Sequence, residues 1–194
     1  VLTATLAADS LSNLGSLSTA STDAITITVN DADAASVTAA NLSTLGGKTS
    51  GTVTVTNAVA ISGSRAEATA ALVTSGSLVE VSDAAVTIND ADGVALNASD
   101  LSAIGAKTTG TVTVTNAVAI SGNTSESTAA LVTTGSLVEV SDATVTINDA
   151  DGVALNATDL SAIGAKTTGT VTVTNAVAIS GSRAEATAAL VTTG

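Results

Sequence analysis

Three near-copies of one short stretch hold the side chains best suited to chemistry: Asn-Asp-Ala-Asp-Ala at 30–34, and Asn-Asp-Ala-Asp-Gly at 89–93 and 148–152. Carboxylates two residues apart are the hard oxygen donors that calcium takes. With the glycine they match the third, fifth and sixth places of a twelve-residue helix-loop-helix calcium loop. On that match Asp31, Asp33, Asp90, Asp92, Asp149 and Asp151 are the candidate metal ligands, and Ca2+ the candidate cofactor. The same register puts Ile88 first and Ser99 twelfth, and neither supplies a carboxylate. A second reading needs no metal, because Asp-Gly turns a chain and Asn and Asp side chains bond nearby backbone. The sequence leaves both open.

The rest of the composition removes most other chemistry. The chain has 194 residues and no Phe, Trp, Tyr, Met, Cys, His or Pro. Without His or Cys it has no Ser-His or Cys-His pair, no imidazole or thiolate ligand, and no group that ordinarily titrates near neutrality. Paired carboxylates are the one catalytic device left, yet here every acidic cluster recurs from copy to copy, whereas an active site is needed once. No catalytic residue and no enzyme activity is expected. A net charge of -12, with Lys48, Arg65, Lys107, Lys166 and Arg183 the only cations, argues against nucleic acid, whose binding rests on neutralising phosphates. No apolar run approaches the 18 or so residues that span a bilayer, so membrane insertion is not expected.

Self-similarity organises the chain. Residues 76–134 and 135–193 align with six differences, at 85, 99, 123, 124, 125 and 127 of the first copy, which fixes a period of 59. Gly-Thr-Val-Thr-Val-Thr-Asn-Ala-Val-Ala-Ile-Ser-Gly at 51–63 returns at 110–122 and 169–181. The boundaries are therefore 17–75, 76–134 and 135–193, with a partial copy at 1–16, all in one array whose pattern reads as a fragment of a longer one. Each copy divides into a long phrase such as 136–169 and a short one such as 111–135, both predicted to run strand, corner, strand, turn, short helix, glycine.

Alternation predicts the strands: Val112, Val114, Val118 and Ile120 face inward, and the threonines between them outward. In the long phrase Val138 and Val140 are followed by Val145 and Ile147, and this change of parity requires a bend. Capping predicts the helices. Ser64 with Glu67, Ser182 with Glu185 and Asn123 with Glu126 fit a capping box, and Asn97–Asp100 and Asn156–Asp159 resemble one. A related pattern runs from Leu6 to Gly15, and a glycine closing each phrase is read as a helix stop. A 59-residue pair of phrases such as 77–135 carries only fifteen Val, Ile and Leu residues, too few to hold one pair in shape alone. The predicted fold is therefore α/β, a right-handed solenoid of stacked strand-corner-strand-helix coils with parallel sheets, each strand bonding to its equivalent. An all-β solenoid is the alternative. The corner pairs Asn57-Ala58, Asp83-Ala84, Asn116-Ala117, Asp142-Ala143 and Asn175-Ala176 are expected to stack in one column.

Leu-Ser-Ala-Ile-Gly-Ala-Lys-Thr-Thr-Gly-Thr-Val-Thr-Val at 101 and 160, and its variant Leu-Ser-Thr-Leu-Gly-Gly-Lys-Thr-Ser-Gly-Thr-Val-Thr-Val at 42, sit within Val, Thr, Ser, Ala and Asp-rich tandem copies. The pattern resembles the repeats of very large bacterial surface or secreted proteins, especially those of cyanobacteria, over nearly the whole chain. The resemblance implies an extracellular or cell-surface location, export often without a cleaved signal, and frequent association with calcium. The glycine-rich nonapeptide of calcium-binding toxin-type repeats is absent. The expected function is a structural repeat segment (stalk, surface-layer or fibre-forming spacer) that associates with itself end to end or laterally. The alternative is ice binding or adhesion through the Thr-x-Thr columns at Thr52, Thr54 and Thr56 and their later copies, into which Glu80 or Glu139 should intrude.

The repeat 76–134 sets Glu80, Asp83, Asp90, Asp92, Asp100 and Glu126 against Lys107 alone, and its neighbours are acidic too. With two coils per repeat and strands about 4.8 Å apart, that charge returns roughly every 10 Å, about one Debye length at 0.1 M salt. Millimolar calcium is therefore expected to raise the melting temperature more than sodium at equal ionic strength. Equal shifts in a thermal denaturation series would reduce the effect to screening.

Overall fold

The computed structural model describes residues 1–74, 76, 79–133, 135 and 138–191. The repeat joints placed at 75, 134 and 193 and the phrase start at 136 lie outside the described residues. In chain order the strands and helices are β1 (Thr3–Thr5), α1 (Leu11–Leu14), β2 (Ala24–Val29), β3 (Ser36–Thr38), α2 (Ala39–Gly46), β4 (Val53–Val55), β5 (Ala60–Gly63) and α3 (Arg65–Ala68). A π-helical turn, Thr69–Val73, continues α3, and β6 (Val79–Val81) and β7 (Ala85–Ile88) follow. Then come β8 (Ala95–Asn97), α4 (Ala98–Gly105), β9 (Val112–Val114), β10 (Ala119–Gly122), α5 (Thr124–Leu131), β11 (Val138–Val140) and β12 (Thr144–Ile147). The chain closes with β13 (Ala154–Asn156), α6 (Ala157–Gly164), β14 (Val171–Val173), β15 (Ala178–Ser180) and α7 (Arg183–Leu190). The fold is α/β, and every strand pairing recorded among the described residues is parallel. Seven α-helices among those residues set aside the all-β alternative.

Two compact units interleave in sequence: residues 1–89 with 103–113, and 90–102 with 114–194. In the first, β1, β2, β4 and β6 form one sheet in that order, and β5 pairs with β3 on one side and β7 on the other. Ile25, Ile27, Val29, Val53, Val55 and Ile61 turn inward and are buried. Leu42 and Leu45 of α2 close over them, and α2 packs against α3 and its π-helical turn. In the second, β8, β10, β12 and β14 form a sheet, β13 pairs with β15, and α6 packs against α5 and α7. Here Leu96, Val118, Ile120, Val145, Ile147 and Ile163 are among the buried aliphatics. Each such side chain contributes about 1.5–3 kcal/mol when fully removed from water.

The register departs from the expected one. Paired residues lie between 21 positions apart (Thr3 with Ala24) and 26 apart (Ile27 with Val53). Two such steps fall short of the 59-residue repeat, so strands do not simply pair with their equivalents. In the second unit the sheet runs from β8, a third strand of a long phrase, to β10, a second strand of a short one. It then passes to β12, the second strand of the next long phrase, and ends on β14, the first strand of a short one. The physical source is the extra length of the long phrase, which holds the Asn-Asp-Ala-Asp-Gly turn and a strand the two-strand grammar did not anticipate: β3, β8 or β13. The predicted parity bend is present, with strands β11 and β12 separated at Ser141–Asp142 and Ala143 buried in the corner.

Local signals hold with three corrections. Ser64, Asn123 and Ser182 each complete a capping box with the glutamate three residues on. Asn156 does not: its amide donates to Asp159 Oδ2 at 3.4 Å and makes no side-chain cap, because the shorter acid does not reach back as Glu does. The Leu6–Gly15 pattern yields helix only over Leu11–Leu14, capped by Ser10. The phrase-closing glycines 51, 110 and 169 stop no helix; α2, α4 and α6 end several residues earlier, at Gly46, Gly105 and Gly164. Their work is close approach between backbone segments distant in sequence. A Cβ at Gly51 would run into the Ile25 backbone, at Gly110 into Ala84 and Asp83, and at Gly169 into Ala143 and Asp142.

Gly110→Ala is therefore expected to destabilise the chain by about 1–3 kcal/mol through overpacking against backbone. Gly164→Ala, which meets nothing within 4 Å, should be neutral or stabilise by up to about 1 kcal/mol. Urea denaturation of the two variants distinguishes close approach from a general intolerance of alanine.

Candidate functional site

Each Asn-Asp-Ala-Asp corner leaves a strand and must turn before the next one, β3, β8 or β13. The turn is made by its fifth residue, in the left-handed region at Gly93 (φ 74°) and Gly152 (φ 80°), and at Ala34 (φ 60°) in the divergent copy. The backbone amide of that residue donates to the carbonyl of an Asn-Ala corner farther along: Ala34 to Ala58, Gly93 to Ala117 and Gly152 to Ala176, each at 2.8 Å.

The second carboxylate of each pair returns the bond. Asp33 Oδ1 accepts from the Ala58 amide at 3.2 Å, Asp92 Oδ1 from Ala117 at 3.1 Å and Asp151 Oδ1 from Ala176 at 3.0 Å. A third contact completes the clasp, as Asn57, Asn116 and Asn175 donate their side-chain amides to the carbonyls of Asp31, Asp90 and Asp149 at 2.6, 2.6 and 2.5 Å. Each of these Asn side chains thus bonds an Asn-Asp-Ala-Asp corner on one side, while the pairing of β4 with β6 and of β5 with β7 sets the Asp83-Ala84 corner beside Asn57-Ala58 on the other.

The first carboxylate, where its bonds are defined, turns the other way, toward the start of an earlier helix. Asp31 Oδ2 accepts from the Leu11 amide of α1 at 2.7 Å. Asp149 Oδ2 accepts from both the amide and the hydroxyl of Thr124, at the start of α5, at 2.7 Å each. A carboxylate there satisfies an amide that the helix itself leaves unpaired and suits the positive end of its dipole. Five of the six candidate ligands, Asp31, Asp33, Asp92, Asp149 and Asp151, therefore divide between two tasks, and no group of three or more carboxylates converges among the described residues. A carboxylate that bonds an amide through one oxygen can still meet a cation through the other.

A second clasp was hidden in the sequence. Thr49, Thr108 and Thr167, in Gly-Lys-Thr-Ser-Gly and Ala-Lys-Thr-Thr-Gly, are buried polar residues. Thr108 Oγ1 donates to the Ala84 carbonyl at 2.5 Å and accepts from the Gly110 amide at 3.0 Å. Thr167 repeats both bonds with Ala143 and Gly169. Thr49 accepts from the amides of Ile25 and Gly51, each at 2.8 Å. The available signal was a threonine fixed between Lys and the invariantly spaced Gly in all three copies, a small hydroxyl where a longer polar side chain would not fit beside the close backbone approach.

Two exposed carboxylates titrate low. The amide and hydroxyl of Ser182, then the Thr158 hydroxyl, hold Glu185 below the ordinary glutamate value, and the Asn13 side chain and Ser10 amide do the same for Asp9. On the outer sheet face Thr54 pairs in register with Thr28 on one side and Glu80 on the other, so a carboxylate enters the hydroxyl row as expected. Among the described residues no helix is long and apolar enough to cross a membrane. Comparison with protein-family models, curated proteins and solved structures finds no match for the chain.

Ala34→Gly restores Asn-Asp-Ala-Asp-Gly and removes a side chain from the left-handed region. It is expected to stabilise the chain by about 0.5–1 kcal/mol, the strain relieved exceeding the added freedom of the unfolded chain. Gly93→Ala should cost a similar amount, and calorimetric melting of both variants checks the pair of signs.

Proposed function

We propose that the chain is a structural repeat segment of an extracellular or cell-surface protein, a stalk, surface layer or fibre-forming spacer. In this reading its 59-residue copies continue one another as a right-handed solenoid of parallel coils. The observation that carries the reading is recurrence of the clasp. Asn57, Asn116 and Asn175 make the same bond, as do Asp33, Asp92 and Asp151, and Thr108 and Thr167. Residues kept alike in every copy serve something every copy needs, and that is attachment to the neighbouring turn. Parallel strands joined by crossovers coil right-handed, and solenoids grow in length by adding copies without altering those already present. The resemblance to the tandem repeats of large bacterial surface proteins, cyanobacterial ones above all, supports the location and the same use. Calcium enters as a cation that relieves the repeated negative charge, taken up by carboxylate oxygens not spent on amides. Self-association, end to end or lateral, belongs to the same reading of a fibre-forming segment.

Small-angle X-ray scattering on chains of two, three and four 59-residue copies tests the reading. The maximum dimension is expected to grow by a constant increment of about 10 Å for each copy, two strand spacings. Growth as the cube root of mass would overturn it.

A further inference from the structure

Two of the three acidic corners hold a bond that can rearrange. An aspartate sets its carboxyl carbon within ring-closing reach of the next backbone nitrogen, and a glycine at that next position has no side chain to obstruct the closure. Asp92-Gly93 and Asp151-Gly152 are such pairs, and all four residues are exposed to water. Around Gly93 and Gly152 the space is open, for a Cβ on either would meet nothing within 4 Å. The first copy differs, since Asp33 is followed by Ala34, whose methyl group stands beside the nitrogen.

In the folded corner both reacting groups are occupied by one residue. The Gly93 amide donates to the Ala117 carbonyl at 2.8 Å, and Asp92 Oδ1 accepts from the Ala117 amide at 3.1 Å. Ala176 holds Gly152 and Asp151 in the same way, at 2.8 and 3.0 Å. A nitrogen donating to Ala117 is not free to act as nucleophile, and a carboxylate fixed on the Ala117 amide does not swing to meet it. Ring closure therefore waits on local opening of the corner, a minor population in a folded chain. Asn116 closes the same corner through its bond to the Asp90 carbonyl at 2.6 Å, so it controls that opening without touching either reacting group.

We propose that Asp92-Gly93 and Asp151-Gly152 are sites of covalent self-modification, rearranging to isoaspartyl linkages when their corner lets go of Ala117 or Ala176. In the first step the Gly93 nitrogen bonds Asp92 Cγ. One carboxyl oxygen leaves as water, taking the proton of that nitrogen and a second proton from solvent, and a succinimide ring remains. Water then adds to the main-chain carbonyl carbon of Asp92, whose bond to the Gly93 nitrogen breaks. The nitrogen regains a hydrogen, and the new carboxylate returns a proton to solvent. Composition is unchanged and nothing is oxidised or reduced. The chain now runs through Cγ, one methylene longer, and has lost the side-chain carboxylate that reached Ala117. A rearranged corner is thus a lasting mark of a clasp that once opened. This chemistry belongs to the corner itself and does not depend on the chain being a surface spacer.

The test is incubation of the full chain at neutral pH, folded and in urea, with isoaspartate located by electron-transfer mass spectrometry and corner opening read by amide exchange at Gly93. In urea, conversion is expected to be fast at Asp92 and Asp151 and much slower at Asp33. In the folded chain, conversion at Asp92 and Asp151 should be at least about tenfold slower than in urea, the protection that rare local opening imposes. Asn116→Ala loosens one corner only, so conversion at Asp92 and exchange at Gly93 should rise together by about threefold or more while Asp151 keeps its rate. Gly93→Ala should bring Asp92 down to the rate of Asp33. Equal rates folded and in urea, no preference for Asp92 over Asp33 in urea, or an Asn116→Ala effect absent at Asp92 or equally large at Asp151 would each overturn the proposal.

Discussion

Every strand of this chain must present its backbone donors and acceptors to the strand beside it, in register, and nothing else available to it can substitute. There are no aromatic side chains to fill a wide core and no cysteines to staple one. An unpaired backbone group away from water costs about as much as a lost hydrogen bond. Parallel pairing sets neighbouring strands about 4.8 Å apart, which explains why residues at the contact are small. Gly51, Gly110 and Gly169 let two backbones approach where a methyl group would collide. Thr49, Thr108 and Thr167 then take up polar groups that the approach shuts away from solvent.

The carboxylates belong to the same economy of backbone groups. Asp33, Asp92 and Asp151 each accept an amide from a later corner, and Asp31 and Asp149 each accept one from an earlier helix start. One corner thus ties together three successive passes of the chain. Acidic rather than neutral side chains strengthen these bonds, since a charged acceptor forms hydrogen bonds roughly twice as strong as a neutral one. The accompanying cost is a large negative charge along the chain, which is where calcium acquires its proposed role.

A sequence repeat and the spacing of paired strands need not have the same length. Here the repeat is 59 residues while paired positions differ by 21 to 26. Covalent copying set the first and backbone geometry sets the second. The extra segment of each long phrase absorbs the difference as a strand, and each sheet in consequence passes through different parts of successive phrases.

Much of the architecture was legible in the chain alone, because its determinants are local. Val-Thr alternation specified strands with Val112, Val114 and Ile120 inside, and Ser or Asn followed three residues later by Glu specified three helix starts. The two open meanings of Asn-Asp-Ala-Asp-Gly were legible as well, turn and ligand. What the tertiary structure decided was pairing: which strand lies beside which, that Asp92 answers Ala117, and that Thr108 answers Ala84. Those partners sit 24 or 25 residues apart, a separation set by how much chain lies between one strand and the strand that pairs with it. Chain consumption depends on the summed path of strands, corners and helix together, a quantity that no local pattern of residues records.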